Sequence, residues 1–364
     1  MQFVLVFSGA ALLCTVAELL FEDVLEDSSA DFIEMLQEGR STLMDLFFIA
    51  VGGVTAVCFL FISGVIYLVS NREVGVLGTI AGYFGAALSG FLKMVIAHPR
   101  PFWKYSKIAG LSCHKDFGAP SGHALSVGAA LMTLGALWLE SGEQITRKVC
   151  ALGIVGFITA IDRSYLGAHF YFQVVLGLSY GGLIATVLLE PKVRAFVRKL
   201  AFNWRLLVTV NAGIVVFVSC GFLMYLFREP FWDGSWEVNF SNNCKGNLDL
   251  DGAFAKNMSE VTLSLFVGGY LLGYYFTEKN LGMPEYSHTL AVGCFFGYLG
   301  VFGLGAVLER VVFVLLPGFL KILAMCFSRF AVGLAISYGL PLLISSKLRI
   351  SYTALELSNL NKSY

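Results

Sequence analysis

Lys93 and Arg100 are separated by six residues in the run KMVIAHPRPFW, Pro-Ser-Gly-His follows at residues 120–123, and Arg163 is separated by five residues from His169 in RSYLGAHFYFQVV. Three cations, two imidazoles and a glycine-bearing turn at a helix start are the parts of a site for a tetrahedral dianion. The backbone amides of Ser121 and Gly122, at the positive end of the following helix, would meet its oxygens. Glycine lets the backbone approach closely, and the Ser121 hydroxyl adds a donor. Lys93 lies inside the apolar run GYFGAALSGFLKMVIA, where a cation is costly unless it is used or reaches the interface. Taken singly, each residue has a plainer use. Lys93 can snorkel, Arg100 and Arg163 can anchor at an interface, and His123 or His169 can be satisfied structural histidines. The joint spacing sets them apart, whereas His98, His114 and His288 keep the structural reading.

The elements that must position these residues are membrane helices. In 364 residues, 57% are hydrophobic and 14% charged, and the mean hydropathy is +0.75. That leaves too little polar side chain to cover a water-soluble surface. Successive apolar runs, each near the roughly 20 residues that cross a bilayer, fall at about 46–70, 74–97, 123–140, 148–163, 170–190, 205–227, 260–277, 289–309 and 321–345. The expected fold is therefore all-α, a polytopic bundle of about nine transmembrane helices. Residues 1–20 read as a signal peptide, with Ala17 near a plausible cut, or as a retained anchor. Residues 21–364 read as a single membrane domain. Residues 29–40 read as a short interfacial helix, with Phe32, Met35 and Leu36 on its apolar face.

Lysines and arginines set the orientation. Arg72, Arg147, Lys148, the run EPKVRAFVRKLAFNWR and the tail residues Lys347, Arg349 and Lys362 all fall on one side, which the positive-inside tendency makes cytoplasmic. The candidate site lies on the opposite side, together with the acceptor sequons at Asn239 and Asn257. Cys113 and Cys244 fall in polar loops on that side, and a bridge between them is one option. The other cysteines are scattered singly, without zinc spacing. With 25 basic and 25 acidic residues, no overall field favours nucleic acid. No carboxylate cluster has metal-ligand spacing, so neither a metal nor another cofactor is called for.

The three motifs resemble those of the type 2 phosphatidic acid phosphatase and vanadium haloperoxidase superfamily: Lys93 with Arg100 and Pro101, then Pro120 to His123, then Arg163 and His169. Within it the chain is most similar to the glucose-6-phosphatase catalytic subunits. The grounds are the HPRPFW and AHFYFQVVLG strings, the length and the number of spans. The resemblance implies a membrane phosphatase acting on a phosphorylated small molecule, a sugar phosphate in the closest subfamily, at the luminal face of the endoplasmic reticulum. It further implies that His169 attacks phosphorus to give a phosphohistidine and that His123 protonates the leaving group. Lys93, Arg100 and Arg163 neutralise the phosphoryl oxygens. Gln173 stands where most members have Asp, and its carbonyl can orient His169. Asp162 stands where Ser is usual, either pairing with Arg163 or standing in for the missing carboxylate. Two other classes stay open. One is a phosphatase of lipid or polyprenyl phosphates fed from the bilayer; the other is a non-enzymatic membrane protein or transporter.

Overall fold

A computed structural model describes residues 9, 11–17, 20–69, 71–140, 145–227, 232–281, 288–315 and 318–344. Part of the leader or anchor read over residues 1–20, and the basic tail, lie outside the described residues. The fold is all-α: fourteen helices follow from Glu22 onward, with no strand among the described residues. Those around the candidate site are α1 (Glu22–Gln37), α2 (Thr42–Val69), α3 (Arg72–Ile96), α4 (Pro101–Lys104), α5 (Gly122–Leu139), α6 (Ile145–Tyr165) and α7 (Tyr171–Leu189).

Among the described residues five helical segments are long and apolar enough to cross a membrane: Arg72–Lys104, Gly122–Leu139, Tyr171–Leu189, Trp204–Leu226 and Leu320–Ile344. Thr42–Thr55 and Phe296–Glu309 are shorter apolar helices. The remaining two expected spans, at 148–163 and 260–277, are helical but end in charge, Asp162 and Arg163 in α6 and Glu278 and Lys279 in Leu263–Asn280. Helix Trp204–Leu226 exposes Val208, Val215, Val216, Leu223 and Leu226, a surface for which lipid is the fitting solvent. The chain is a multi-pass membrane protein.

Its residues fall into two compact units, one formed by 1–60, 77–194 and 215–264, the other by 61–76, 195–214 and 265–364. In the first unit α5 and α7 pack closely because α7 offers glycine at the contact. A Cβ at Gly177 would lie 2.6 Å from the Ser121 carbonyl oxygen, and one at Gly181 would lie 2.8 Å from that of Leu125. Small residues at a helix contact let backbones approach where lipid supplies no hydrophobic drive. In the second unit the helix Gly318–Leu334 runs into a π-turn over Ala335–Gly339. There the Ser337 carbonyl accepts from the Tyr67 hydroxyl at 2.9 Å and the Thr277 hydroxyl at 2.6 Å, partners suited to a carbonyl where the regular ladder is interrupted.

Helix α1 departs from expectation. It starts at Glu22, and the face it buries is Glu26, Ser29, Ala30 and Ile33, while Met35 is exposed. The spacing is still helical, and the helix meets polar as well as apolar groups. Glu26 pairs with Lys104, and Gln37 donates to the carbonyls of Ala109 at 3.0 Å and Tyr165 at 2.8 Å. Of the expected apolar stripe, Leu36 packs against Tyr165, Leu166 and Ala168 and Phe32 meets the Tyr171 ring, while Met35 faces outward and Glu26 is turned inward onto a lysine.

Candidate functional site

Helix α3 delivers Lys93 in its last turn and stops at Ala97, whose positive φ of 52° breaks the helical path. Proline at 99 and 101 holds Arg100 extended, with φ −91° and ψ 156°, as the residue before α4. Arg100 is 1% exposed, and backbone carbonyls grip its guanidinium: Nε donates to Asp116 O at 2.7 Å, Nη1 to Ala168 O at 2.7 Å and Nη2 to Phe117 O at 3.4 Å. Ser121 caps α5, which begins with Gly122 and His123, and the turn after α6 carries His169.

The side chains of Lys93, Arg100, His123, Arg163 and His169 line one cavity of about 190 Å³, with Gly122 in its wall. Glycine leaves room there for Ser89 and Lys93, because a Cβ at 122 would lie 2.7 Å from Ser89 Oγ and 3.2 Å from Lys93 Nζ. Arg163 is held in a two-point pair with Asp162, Nε to Oδ1 at 2.8 Å and Nη2 to Oδ2 at 2.9 Å. Of the two uses open to Asp162, the coordinates give pairing. Helix α2 closes this side: Thr55 Oγ1 lies 3.2 Å from His123 Nε2, and Gly52 lets the Arg163 guanidinium lie against the helix.

His169 is 3% exposed. Its Nδ1 lies 2.8 Å from the Gly118 carbonyl oxygen, an acceptor only, so the proton sits on Nδ1 and the lone pair on Nε2. That Nε2 is 3.2 Å from Arg100 Nη1. Burial, and then Arg100, Lys93 and Arg163, hold the His169 imidazole well below its usual pKa. The ring is neutral near pH 7, with its lone pair beside a cation. Such an arrangement can attack an electron-poor phosphorus.

Several expectations need correction. Gln173 does not touch His169: its Oε1 accepts from the Phe170 amide at 3.3 Å, and its Nε2 donates to Pro99 O at 3.0 Å and to His98 Nδ1 at 2.9 Å. The orienting carbonyl belongs to Gly118 instead. Ser121 is fully buried and outside the cavity wall. Its amide donates to Gln173 O at 2.9 Å and its hydroxyl accepts from Ala124 N at 3.4 Å, so it caps the helix and leaves Gly122 as the member of the turn at the wall. Asn257 is fully buried, where a glycan has no room. Asn239 donates to Trp103 O at 2.8 Å, which commits its amide to the loop. Cys113 and Cys244 are joined, with Cα atoms 5.7 Å apart.

Other residues at the cavity were not singled out in the sequence. Asp116, 2% exposed, accepts from Lys93 and, at 2.8 Å, from Arg100 Nη2. Glu260 lies 3.2 Å from Lys93 Nζ. His114, taken as structural, stands in the cavity wall 3.9 Å from Asp116. Burial pushes the Asp116 pKa up, but Arg100, Lys93 and His114 outweigh it and hold the carboxyl well below the usual range. Away from the cavity, Glu22, Glu26 and His98 bring ligand atoms within 4.8 Å of one another. Because His98 Nδ1 accepts from Gln173, its Nε2 carries the proton and faces the carboxylates at 2.9 and 3.3 Å, so it offers them an N–H and not the lone pair that a metal would need.

Residues 74–194 match the model of the PAP2 superfamily. The match covers about a third of the chain. A glucose-6-phosphatase catalytic subunit 1 from Haplochromis nubilus is 27% identical over 135 residues, covering 30% of this chain and 38% of that protein's length. The crystal structure of a PAP2-type phosphatidylglycerolphosphate phosphatase from Bacillus subtilis aligns with a TM-score of 0.46 and 19% identity, over 55% of this chain and 98% of the other. The matched segment carries every cation and imidazole of the cavity wall. Gly52, Thr55 and Glu260 reach the site from outside it.

Proposed function

We propose that the protein hydrolyses a phosphomonoester of a small polar alcohol, in the manner of a glucose-6-phosphatase, through a phosphohistidine on His169. The observation that carries this reading is the His169 tautomer: Nδ1–H is committed to Gly118 O at 2.8 Å, which leaves the Nε2 lone pair beside Arg100 at the cavity. In the first step Nε2 bonds to phosphorus, the ester P–O bond breaks, and His123 gives its proton to the leaving alkoxide. In the second, His123 takes a proton from water, whose oxygen displaces the imidazole and releases inorganic phosphate. Lys93, Arg100 and Arg163 offset the charge on the phosphoryl oxygens, and the first-turn amide of Gly122 adds a donor.

The nature of the wall favours a polar substrate. All its residues except Ala86, Gly122 and Leu263 have polar side chains, which suits hydroxyl groups better than acyl chains. The Cys113–Cys244 bond ties the loop before α5 to residue 244, and a disulfide suits an oxidising compartment. It supports a site on the luminal side of the endoplasmic reticulum, in agreement with the basic loops opposite. In this reading residues 21–364 act as one phosphatase with its core over about 46–190, and residues 1–20 are a leader or anchor.

The deciding experiment supplies purified full-length protein with glucose 6-phosphate, other sugar phosphates, phosphatidate and a polyprenyl diphosphate, and measures phosphate release. Turnover of sugar phosphates, with an acid-labile, base-stable phosphoenzyme label that is lost in His169→Ala, supports the reading. Preference for the lipids transfers the site to a bilayer substrate, and release from none of the four refutes hydrolysis.

A further inference from the structure

Lys93, Arg100 and Arg163 are each paired with a carboxylate: Lys93 with Asp116 and Glu260, Arg100 with Asp116, and Arg163 with Asp162. Three positive charges therefore face three negative ones, and the first ring of charge around the cavity sums to zero. A site built only to hold a dianion tightly would leave its cations uncompensated. Asp162 is adjacent to Arg163 in sequence and fully buried, and it serves as that arginine's fixed counter-ion. Asp116 differs, because it stands in the cavity wall and its Oδ2 takes hydrogen bonds from both Lys93 and Arg100. This one carboxylate oxygen occupies the donors that a phosphoryl oxygen would use.

We propose that Asp116 is an internal competitor for phosphate: its carboxylate shares Lys93 and Arg100 with the incoming phosphoryl group and so weakens the hold of the site on inorganic phosphate, the product. The inference rests on the phosphatase reading and adds to it a residue that sets oxyanion affinity. Asp116 is not needed to place the arginine, since the carbonyls of Ala168, Asp116 and Phe117 already hold all three guanidinium nitrogens. Nor is it the sole carboxylate on the lysine, which also bonds Glu260 at 3.2 Å. The second oxygen, Oδ1, makes no hydrogen bond among the described residues and lies 3.9 Å from His114 Nδ1. A turn of the side chain toward His114 would give the carboxylate a new donor while releasing the two cations. Like charges a few ångströms apart repel strongly in a buried site, so phosphate and an inward-facing Asp116 exclude one another.

The test is Asp116→Asn in the full-length protein, reconstituted in lipid nanodiscs, with binding of inorganic phosphate and of orthovanadate measured by equilibrium dialysis. The substitution keeps shape and removes charge. Both anions should bind at least about tenfold tighter, and phosphate should become a correspondingly stronger inhibitor of turnover, an effect of the size that deleting one close charge produces. Glu260→Gln should tighten binding less, since Glu260 touches only Lys93 of the cations. Unchanged or weaker binding in Asp116→Asn would overturn the proposal and make the carboxylate a support for the cations. Should that variant not fold, Glu260→Gln decides: tighter binding supports internal competition, and unchanged binding rejects it. Wild-type protein that bound neither anion would instead sink the phosphatase reading, a separate result.

Discussion

The Nδ1 of His169 is oriented by a backbone carbonyl and not by a carboxylate: it lies 2.8 Å from Gly118 O. A carbonyl oxygen orients the ring and fixes its tautomer but supplies no negative charge for an imidazolium. His169→Ala should abolish turnover and phosphoenzyme labelling together. His123→Ala should slow labelling by on the order of 10²–10⁴-fold, the usual share of a general acid. The two are separated by rapid-quench labelling with a radioactive phosphomonoester. Residual label in the His169 variant would assign the nucleophile elsewhere.

The neutral state of His169 has a pH signature. Burial and the cations around it depress its pKa, so in the folded protein the ring stays neutral as pH falls through 6.5, while in the unfolded chain it gains a proton near that value. Proton uptake therefore favours the unfolded state, and this histidine contributes a loss of stability as pH falls below about 6.5. Imidazole ¹⁵N shifts of histidine-labelled protein in micelles should show one ring in the neutral Nδ1–H form at pH 5.5, absent in His169→Ala. A His169 ring that titrates at its ordinary value would contradict the geometry.

How much of this was readable in the sequence depended on the cost of each residue. Lys93 stood out because a cation in an apolar run has to be accounted for, and Arg100 because prolines on both sides fix its path. Asp116 gave no such signal: a carboxylate in the polar run SCHKDFG is ordinary, and only folding brings it onto both cations. Glu260 is 167 residues from its lysine. Gly118 acts through a carbonyl oxygen that every residue possesses, so no side chain announces it. For α1 the apolar count named Phe32, Met35 and Leu36, of which Phe32 and Leu36 find apolar partners, but it gave no sign that Glu26 and Ser29 would also turn inward. The helices and the cation set were accessible from residue type and period. The counter-ions and carbonyl partners were set by tertiary proximity.

Restoring an acid at position 173 should harm, not help. Gln173 uses its amide nitrogen to donate to Pro99 O and His98 Nδ1, and a carboxylate has no proton for either. Gln173→Glu would set a buried negative charge against a carbonyl and an acceptor nitrogen. Each lost buried hydrogen bond costs about 1–3 kcal/mol, so the thermal midpoint of the purified protein should fall clearly. The kcat should drop with it, because the His98–Pro99 segment loses its anchor and Gly118, whose amide donates to His98 O at 2.7 Å, is held through that segment. A Gln173→Glu protein as stable and more active than wild type would show that the acid can reach His169 after all.

Gly52 offers a separable test of the arginine that pairs with Asp162. A Cβ at this position would lie 1.9 Å from Arg163 Nη2, 2.9 Å from Asp162 Oδ2 and 3.1 Å from Arg163 Cζ. Alanine therefore cannot enter without moving the guanidinium away from α2. At Gly53, by contrast, a Cβ meets nothing within 4 Å. In an isolated helix both substitutions would help by about 1 kcal/mol, since alanine is the better helix former. The pair thus holds propensity constant and varies only the clash. Gly53→Ala should keep wild-type kinetics, while Gly52→Ala should lose on the order of 10²–10³-fold in kcat/KM, comparable with removing one aimed donor from a charged transition state. Steady-state kinetics on both variants check this. Equal activity in the two would mean that the Arg163 side chain does not need the position it holds against α2.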